Sequence, residues 1–178
     1  IDTPGYPDFR GPTLSALAAV ETCAVVVNAS TGIEYSTSRM MEYAKARRLC
    51  RLLVVNKMDH EDADLEMLVE QLREAFGNEC LPINLPAKGR SAVVDCYTSP
   101  AGESEFSSVS AAHQRIIDQV VEINEDVMGH YLEEGEEGLR HVAIGRPSDV
   151  EDRRQVLDCP RRERLGALLL LPRDDHAV

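Results

Sequence analysis

Two short apolar runs stand out in the first third of the chain. They are CAVVVNA at Cys23–Ala29 and RLLVVNK at Arg51–Lys57, and both are rich in β-branched residues. Continuous apolar runs of this length are typical of strands that are buried on both faces, as in a parallel sheet covered by helices. We therefore predict that the two runs are strands of one parallel sheet.

The segments around these strands have the spacing of amphipathic helices. GIEYSTSRMMEYAKARRL lies between the strands and places Met40 and Met41 as core residues near a basic C-terminal end. A strand, a helix and a strand within about thirty residues form a βαβ unit, whose crossover is right-handed. DADLEMLVEQLREAFG predicts the next helix, GPTLSALAAVET from Gly11 an earlier one, and CLPINLP a third strand. The first 86 residues thus predict an α/β fold.

The pattern changes after residue 86. Residues 87–106, AKGRSAVVDCYTSPAGESEF, hold one short strand between Gly, Pro and Ser clusters, which indicates a small insertion. A long helix is predicted from about Ser110 to Leu132, with His113 and His130 as surface or helix-end residues. The acidic run EEGEEG after it is a solvated face. Residues 140–178 form an Arg-rich, Lys-free tail without a clear strand signature, for which a frameshifted translation and disorder are both open interpretations.

Composition narrows the functional classes. The 178-residue chain has a net charge of −12, which argues against binding DNA or coating RNA through the electrostatic field of the whole protein. Its 4% aromatic residues, without Trp, argue against a stacking platform for single-stranded nucleic acid. Five scattered cysteines lack the spacing of a zinc site or a disulfide framework, so we expect free and mostly buried thiols. The longest apolar run, LGALLLLP, is short of the ~20 residues of a membrane span. We expect a cytoplasmic monomer.

NKMD, at Asn56–Asp59, follows the second predicted strand directly, at the carboxyl edge where open α/β sheets bind ligands. The Asp59 carboxylate could accept from the N1–H and the exocyclic amine of guanine, a pair of donors that adenine lacks. Asn56 would either bond the O6/N7 side of the base or brace the loop, while the Lys57 stem would lie along the purine ring. The alternative is a plain polar loop.

DTPG, at Asp2–Gly5, has the residue types of a phosphate site. Asp2 could hold a water of a Mg²⁺ ion, and Gly5 would let a backbone N–H approach a γ-phosphate without a Cβ in the way. Taken singly, the motif is better explained as a Pro-Gly turn with Asp2 as an ordinary turn initiator. The two motifs together, about fifty residues apart and on strand ends of one sheet, favour a nucleotide site.

In order, spacing and flanking residues, IDTPGYPDF, NKMD, CLPINLP and AVVD resemble the GTP-binding domain of elongation factor G and its elongation-factor-G-like paralogues, from Ile1 to about Leu139. The resemblance implies a three-layer P-loop-GTPase fold, mostly parallel, with helices on both faces and incomplete at the N-terminus. It assigns Asp2, Thr3 and Gly5 to the phosphate side, Asp2 to Mg²⁺ through water, and Asn56, Lys57 and Asp59 to the guanine of GTP or GDP. It implies that residues 87–106 begin the family's small extra subdomain.

Three departures accompany the resemblance. The Gly-rich phosphate loop and the first switch have no counterpart in the chain. Tyr6 stands where the family carries a water-orienting His, so its catalytic role is in doubt, because a phenol and a neutral imidazole are not equivalent there. The Ser-Ala pair of the family's later guanine-supporting loop is not matched by RHVAIGRPSDVEDRRQV.

Two functional hypotheses follow. The first is part of a translational GTPase that binds GTP and drives a ribosome-linked elongation step, with the ribosome as partner of the parent protein. The second is a truncated or non-catalytic guanine-nucleotide-binding fragment without independent activity. In either case we expect the chain alone to be inactive as an enzyme, because most phosphate affinity in this fold comes from the Gly-rich loop.

Overall fold

A four-stranded parallel sheet forms the centre of the molecule. The computed structural model describes residues 1–78, 80–123, 125–135 and 166–170. The strands lie in the order β1-β2-β6-β3, and their bounds are Thr22–Asn28 (β1), Cys50–Asn56 (β2), Cys80–Pro82 (β3) and Gly166–Leu170 (β6). Because β1 and β2 pair in parallel with Asn28 opposite Asn56, their carboxyl ends lie side by side. The two predicted neighbouring strands are confirmed.

Five helices are described around the sheet, and their bounds are Arg10–Leu17 (α1), Tyr35–Ala46 (α2), Leu65–Phe76 (α3), Val109–Ile123 (α4) and Glu125–Glu134 (α5). A single 3-10 turn, Pro7–Phe9, precedes α1. Helix α3 begins at an Asp64 side chain that accepts from the Met67 amide at 3.0 Å, so one of the helix's unpaired N–H groups is satisfied. Helices α4 and α5 together cover the span of the one long helix predicted from about Ser110 to Leu132, and residue 124 between them lies outside the described residues.

The main core lies between one face of the sheet and helices α1 to α3. Burial alternates along β1, where Cys23, Val25 and Val27 are buried, and the same-facing Leu53 and Val55 of β2 join them. The helices contribute Leu17, Met41, Ala44, Leu65, Leu68 and Leu72 to this core. All three helices therefore cover the same face.

On the opposite face, the described residues show helix cover at β3. Leu81 of β3 alternates with Cys80 and packs in a second cluster with Ala112 and Ile116 of α4. Over β1, in contrast, Val26 is 63% exposed. Helices on both faces are thus found at β3, whereas the prediction that β1 is buried on both faces is wrong, because the described helices next to β1 all pack on its other side.

The tail contributes a strand that the sequence analysis did not assign. Gly166–Leu170 forms β6, which pairs in parallel with β2 on one side and β3 on the other. The run is rich in Leu and has no β-branched residue, and a short apolar run of that kind does not distinguish a strand from a helix. The other residues of the 140–178 tail lie outside the described residues, so the two interpretations of its origin remain hypotheses.

The segment CLPINLP is also divided. Its first half is β3, and its second half, Asn84–Pro86 (β4), pairs antiparallel with Val93–Asp95 (β5) in a separate two-stranded sheet. At the break, the carbonyl of Ile83 accepts from the Cys96 amide at 3.1 Å. We call β4, β5 and the turn between them the insertion hairpin.

His113 corrects a prediction. It was expected at the surface or at a helix end, but it is only 7% exposed, and its Nδ1 lies 2.9 Å from the carbonyl oxygen of Cys96. The reason is that α4 packs beneath the insertion hairpin, where the backbone after β5 offers a partner for the imidazole. The side chain of His130 lies outside the described set.

The cysteines that the structure describes follow the prediction of buried thiols in three of four cases, Cys23, Cys80 and Cys96. Burial raises the pKa of Cys23 and raises the pKa of Cys96 to about 11, so both stay protonated near neutral pH. Cys159 lies outside the described residues. None of the helices in the described part of the chain combines the length and hydropathy that a bilayer crossing requires.

Replacing Leu72 by Ala tests the α3 side of the core. Leu72 is fully buried, so we expect Leu72→Ala to lower the free energy of unfolding by about 2–5 kcal/mol. Met67 lies on the same helix and is 55% exposed, so the matched Met67→Ala variant should change it by about 0.5 kcal/mol or less. Urea denaturation followed by circular dichroism measures both, and equal losses would contradict this core assignment.

Asp95 gives the insertion hairpin a pH-dependent contribution to stability. Burial alone would raise the pKa of Asp95, but the Thr98 hydroxyl and the Tyr97 and Thr98 amides donate to its carboxylate and lower that pKa below its ordinary value. A depressed carboxyl pKa stabilises the fold above the unfolded-state pKa, and the contribution disappears as pH falls through the folded-state pKa.

We therefore expect Asp95→Asn to lower the melting temperature at about pH 7 and to differ less from the wild type at about pH 3. Thermal unfolding of both proteins across that pH range measures the difference. Asp62→Asn removes an exposed carboxylate of the same charge and serves as the control. A difference between Asp95→Asn and the wild type that stays constant with pH would contradict the assignment.

Candidate functional site

The residues of NKMD lie where β2 ends. Asn56 is the last residue of the strand, and its carbonyl oxygen accepts from the Ala29 amide at 2.9 Å. Its side-chain Oδ1 accepts from the Lys57 amide at 2.8 Å. The bond from Ala29 ties the loop after β2 to the loop after β1, and the role of Asn56 toward guanine remains a prediction.

One buried side chain anchors the loop. Met58 is fully buried, whereas Lys57 before it and Asp59 after it are exposed. Lys57 has a φ of +59°. Residues other than Gly rarely adopt this backbone conformation, and it persists only where the surrounding structure enforces it. The His60 amide donates to the Lys57 carbonyl at 3.2 Å and closes a turn. The backbone therefore places the Lys57 and Asp59 side chains outside the core.

A second loop supports the first and was not predicted. Oδ1 of Asn28 accepts from the amide of Ser30 at 3.0 Å and from its hydroxyl at 2.9 Å, and the Gly32 amide donates to the Asn28 carbonyl at 2.9 Å. Gly32 has a φ of +69°, which suits Gly. The signal for this loop was in the sequence: β1 and β2 both end in Val-Val-Asn, and the two Asn residues are partners in register.

The phosphate-side residues lie elsewhere. Asp2, Thr3, Gly5 and Tyr6 line a cavity of about 570 Å³ together with parts of α1, β1 and α2. None of Asn56, Lys57 and Asp59 is among the lining residues of this cavity. The structure thus brings the four phosphate-side residues together and the three guanine-side residues together, but it does not join the two groups in one described cavity.

The DTPG segment and the Tyr6 side chain that follows it are loosely packed in the described structure. A Cβ built on Gly5 would meet no atom within 4 Å, so nothing in the described fold itself demands glycine there. The Tyr6 side chain is 75% exposed, and its carbonyl oxygen accepts from the Phe9 amide at 3.0 Å as the 3-10 turn begins. The roles predicted for Gly5 and Tyr6 therefore depend on a bound nucleotide and remain predictions.

The described residues do not by themselves fit a Mg²⁺ ion. They contain no group of three or more His, Cys, Asp or Glu side chains that could hold a metal. Asp2 is exposed and offers one carboxylate, whereas Mg²⁺ demands octahedral oxygen coordination. A contact of Asp2 to a Mg²⁺-bound water remains a prediction.

Comparison with known families decides the relationship. The family model for the elongation factor Tu GTP binding domain matches residues 1–140. The chain belongs to this family. The resemblance inferred from DTPG, NKMD and their flanking residues is thereby confirmed, and the family is one of guanine-nucleotide-binding domains.

Individual relatives of this GTP-binding domain agree. An elongation factor G-like protein of Thermotoga maritima is 31% identical over 145 residues, which are 75% of this chain and 21% of the relative. Peptide chain release factor 3 of Buchnera aphidicola is 33% identical over 86 residues, 48% of this chain and 16% of the relative. A mitochondrial ribosome-releasing factor 2 of Culex quinquefasciatus is 40% identical over 86 residues, 48% of this chain and 12% of that protein.

A solved structure from Thermus thermophilus shares the fold with a TM-score of 0.65 and 25% identity, and the match covers 96% of this chain and 26% of that one. The chain thus spans about a quarter or less of the length of the proteins it matches. The small parallel sheet and its helices agree with an α/β fold of this GTP-binding domain family.

Proposed function

We propose that the chain is part of a translational GTPase, in which it reads the guanine of GTP and GDP and contributes to the phosphate site. The observation that carries this proposal is the loop after β2, where buried Met58 holds exposed Lys57 and Asp59 at the carboxyl edge of the parallel sheet. This edge is where α/β sheets bind nucleotides.

The base is read by complementary donors and acceptors. The Asp59 carboxylate accepts from N1–H and from the exocyclic amine of guanine, and Lys57 lays its apolar stem along the ring. Asn56 holds the loop in shape through its bonds to Lys57 and Ala29. Adenine cannot donate these two hydrogen bonds to Asp59, so its binding would leave the carboxylate partly desolvated and without donors. This weakens binding by about 1–3 kcal/mol relative to guanine.

On the phosphate side, Asp2, Thr3 and Gly5 would line the γ-phosphate region, with Asp2 binding Mg²⁺ through a water molecule. Their common position in the 570 Å³ cavity supports this grouping. Tyr6 would occupy the place of the residue that orients the attacking water. The described part of the chain supplies too few metal ligands to hold Mg²⁺ alone.

The ribosome is the proposed partner of the protein that contains this chain, and the cytoplasm or an organelle matrix with ribosomes its site of action. The names of the relatives, which include an elongation factor G-like protein, a ribosome-releasing factor and a peptide chain release factor, support a role in translation. They span different steps, so we propose a ribosome-linked step, with elongation as the assignment that the motif resemblance favours.

A second candidate is a guanine-nucleotide-binding domain portion without activity of its own. The separation of the phosphate-side cavity from the guanine loop and the open face of β1 favour it for the chain in isolation. The first candidate requires that the chain binds nucleotide with base selectivity, whereas the second does not, and the next experiment measures this selectivity.

Asp59→Asn should move the base preference of the chain from guanine toward xanthine. The amide of Asn donates where the exocyclic amine of guanine needs an acceptor, and xanthine offers a carbonyl there instead. We expect the GDP-to-XDP affinity ratio to fall about tenfold or more. Saturation-transfer NMR at millimolar nucleotide measures both ligands, because it detects weak binding.

Asp62→Asn is the control, since it removes an exposed carboxylate three residues away and should leave the ratio unchanged. An unchanged ratio in Asp59→Asn would show that NKMD is only a polar loop. A wild-type chain that binds neither nucleotide would favour the second candidate.

Tyr6→His should accelerate GTP hydrolysis in a longer protein that carries this chain together with a phosphate loop. A positioned general base or water-orienting group typically contributes about 10²–10⁴-fold in rate, so the Tyr6 form is expected to hydrolyse slowly. Nucleotide affinity should stay the same, because the group acts in the transition state.

Single-turnover hydrolysis on ribosomes compares the two forms, and a nucleotide-binding titration confirms that affinity is unchanged. Tyr6→Phe separates the hydroxyl from the ring and should be no faster than Tyr6. A Tyr6 form as fast as Tyr6→His would show that the phenol is a competent substitute.

A further inference from the structure

Arg90 connects the insertion hairpin to the segment that follows NKMD. It lies in the turn between β4 and β5 with a φ of +55°. Its Nε donates to Oε1 of Glu105 at 2.9 Å, and its Nη1 donates to the backbone carbonyl of Ala63 at 2.6 Å. The side chain is 27% exposed, so this bond is partly shielded from water.

Ala63 lies at the end of the loop that carries Asp59. It is 4% exposed, and its amide donates to the His60 carbonyl at 3.1 Å, so it closes the turn that follows the guanine-side residues. The next residue, Asp64, caps α3. A buried carbonyl needs a donor, and here the donor comes from a residue 27 positions away, in the turn of the separate two-stranded sheet.

The two ends of the NKMD loop are therefore held differently. Its first end is fixed by Asn56 and the bond from Ala29, which belong to the main sheet. Its far end is held by Arg90, which belongs to the insertion hairpin. Asp59 lies between these two supports.

We propose that Arg90 is a positioning residue for guanine recognition. It couples the position of the insertion hairpin to the orientation of the Asp59 carboxylate. The inference rests on the proposed guanine-reading function of Asp59. Movement of the hairpin relative to α3 would loosen the turn at Ala63 and lower the selectivity for guanine. The hairpin thus acts on base recognition without touching the nucleotide.

The chemistry of arginine suits this position. A guanidinium presents several N–H donors in a rigid fork, so it bonds a carboxylate and a carbonyl at the same time. Glu105 orients the fork and is itself held by the bond from its amide to the Pro86 carbonyl at 3.0 Å. A lysine has a single ammonium group and serves only one of the two acceptors well.

The same region offers a matched control. Lys88 pairs with Glu103 at 2.8 Å, but both side chains are largely exposed, at 76% and 80%, and this pair reaches no residue of the NKMD loop. Lys88→Gln removes a charge from the same turn without removing the link to Ala63.

Hydrogen exchange of the full chain, resolved by mass spectrometry or NMR, tests the link. We expect Arg90→Gln to speed exchange of the His60 and Ala63 amides about tenfold, because both amides bond within the turn that Arg90 supports. Lys88→Gln should leave these amides unchanged, and Arg90→Lys should fall between. Unchanged exchange at His60 and Ala63 in Arg90→Gln overturns the proposal.

Should Arg90→Gln unfold the chain, Glu105→Ala provides the second variant, since it keeps Arg90 but removes the acceptor that orients it. Faster exchange confined to His60 and Ala63 supports the proposal, and exchange equal to the wild type overturns it.

Base selectivity provides a readout that a purely structural role would not move. IDP lacks the exocyclic amine of GDP, so the GDP-to-IDP affinity ratio reports on the Asp59 carboxylate. We expect Arg90→Gln to lower this ratio about threefold or more, as measured by saturation-transfer NMR. Lys88→Gln should have the same ratio as the wild type. An equal loss for both nucleotides overturns the positioning role. A wild-type chain that does not distinguish GDP from IDP contradicts the proposed function itself, and the exchange experiment then decides the link alone.

Discussion

The parallel pairing of β1 with β2 is the constraint on which the candidate site depends. Its register sets Asn28 opposite Asn56, and the bond from the Ala29 amide to the Asn56 carbonyl continues the ladder into the loops. Slipping this register by one residue would turn Cys23, Val25 and Val27 away from the core. The hydrophobic burial of one sheet face therefore also fixes where the polar residues at the strand ends lie.

The pairing of β1 with β2 fixes the first end of the NKMD loop at Asn56, and the burial of Met58 fixes its middle. What remains is the far end, which the main sheet does not reach. There the insertion hairpin supplies a contact through Arg90. The loop is thus assembled from two sheets of different kinds, one parallel and one antiparallel, and its shape depends on both.

Local patterns predicted much of this arrangement. The apolar runs ending in Asn28 and Asn56 and the helical spacing of α2 and α3 were sufficient for the βαβ unit and for the position of NKMD. These features depend on neighbours in the sequence, so a single sequence carries them. The signal of the supporting loop at Asn28 was also present, in the repeated Val-Val-Asn, but it becomes meaningful only once the register is known.

What could not be predicted depends on distant partners. β6 is a strand because β2 and β3 offer it edges on both sides, and its own Leu-rich sequence is ambiguous. The break at Ile83 follows from the pairing of β4 with β5, and His113 is buried because the backbone carbonyl of Cys96 offers its ring a hydrogen-bond partner. The bond from Arg90 to Ala63 also depends on a distant partner, since no residue pattern near Arg90 in the sequence predicts it.

The open face of β1 has a consequence for how the chain behaves as a solute. In the described sheet β1 is an outer strand, and Val26 gives it an exposed apolar side chain. Unpaired strand edges with apolar surface promote association between molecules, whereas a net charge of −12 makes the molecules repel one another. Added salt screens that repulsion and leaves the attraction intact. We therefore expect low salt and a pH well above the isoelectric point to keep concentrated samples of the chain dispersed.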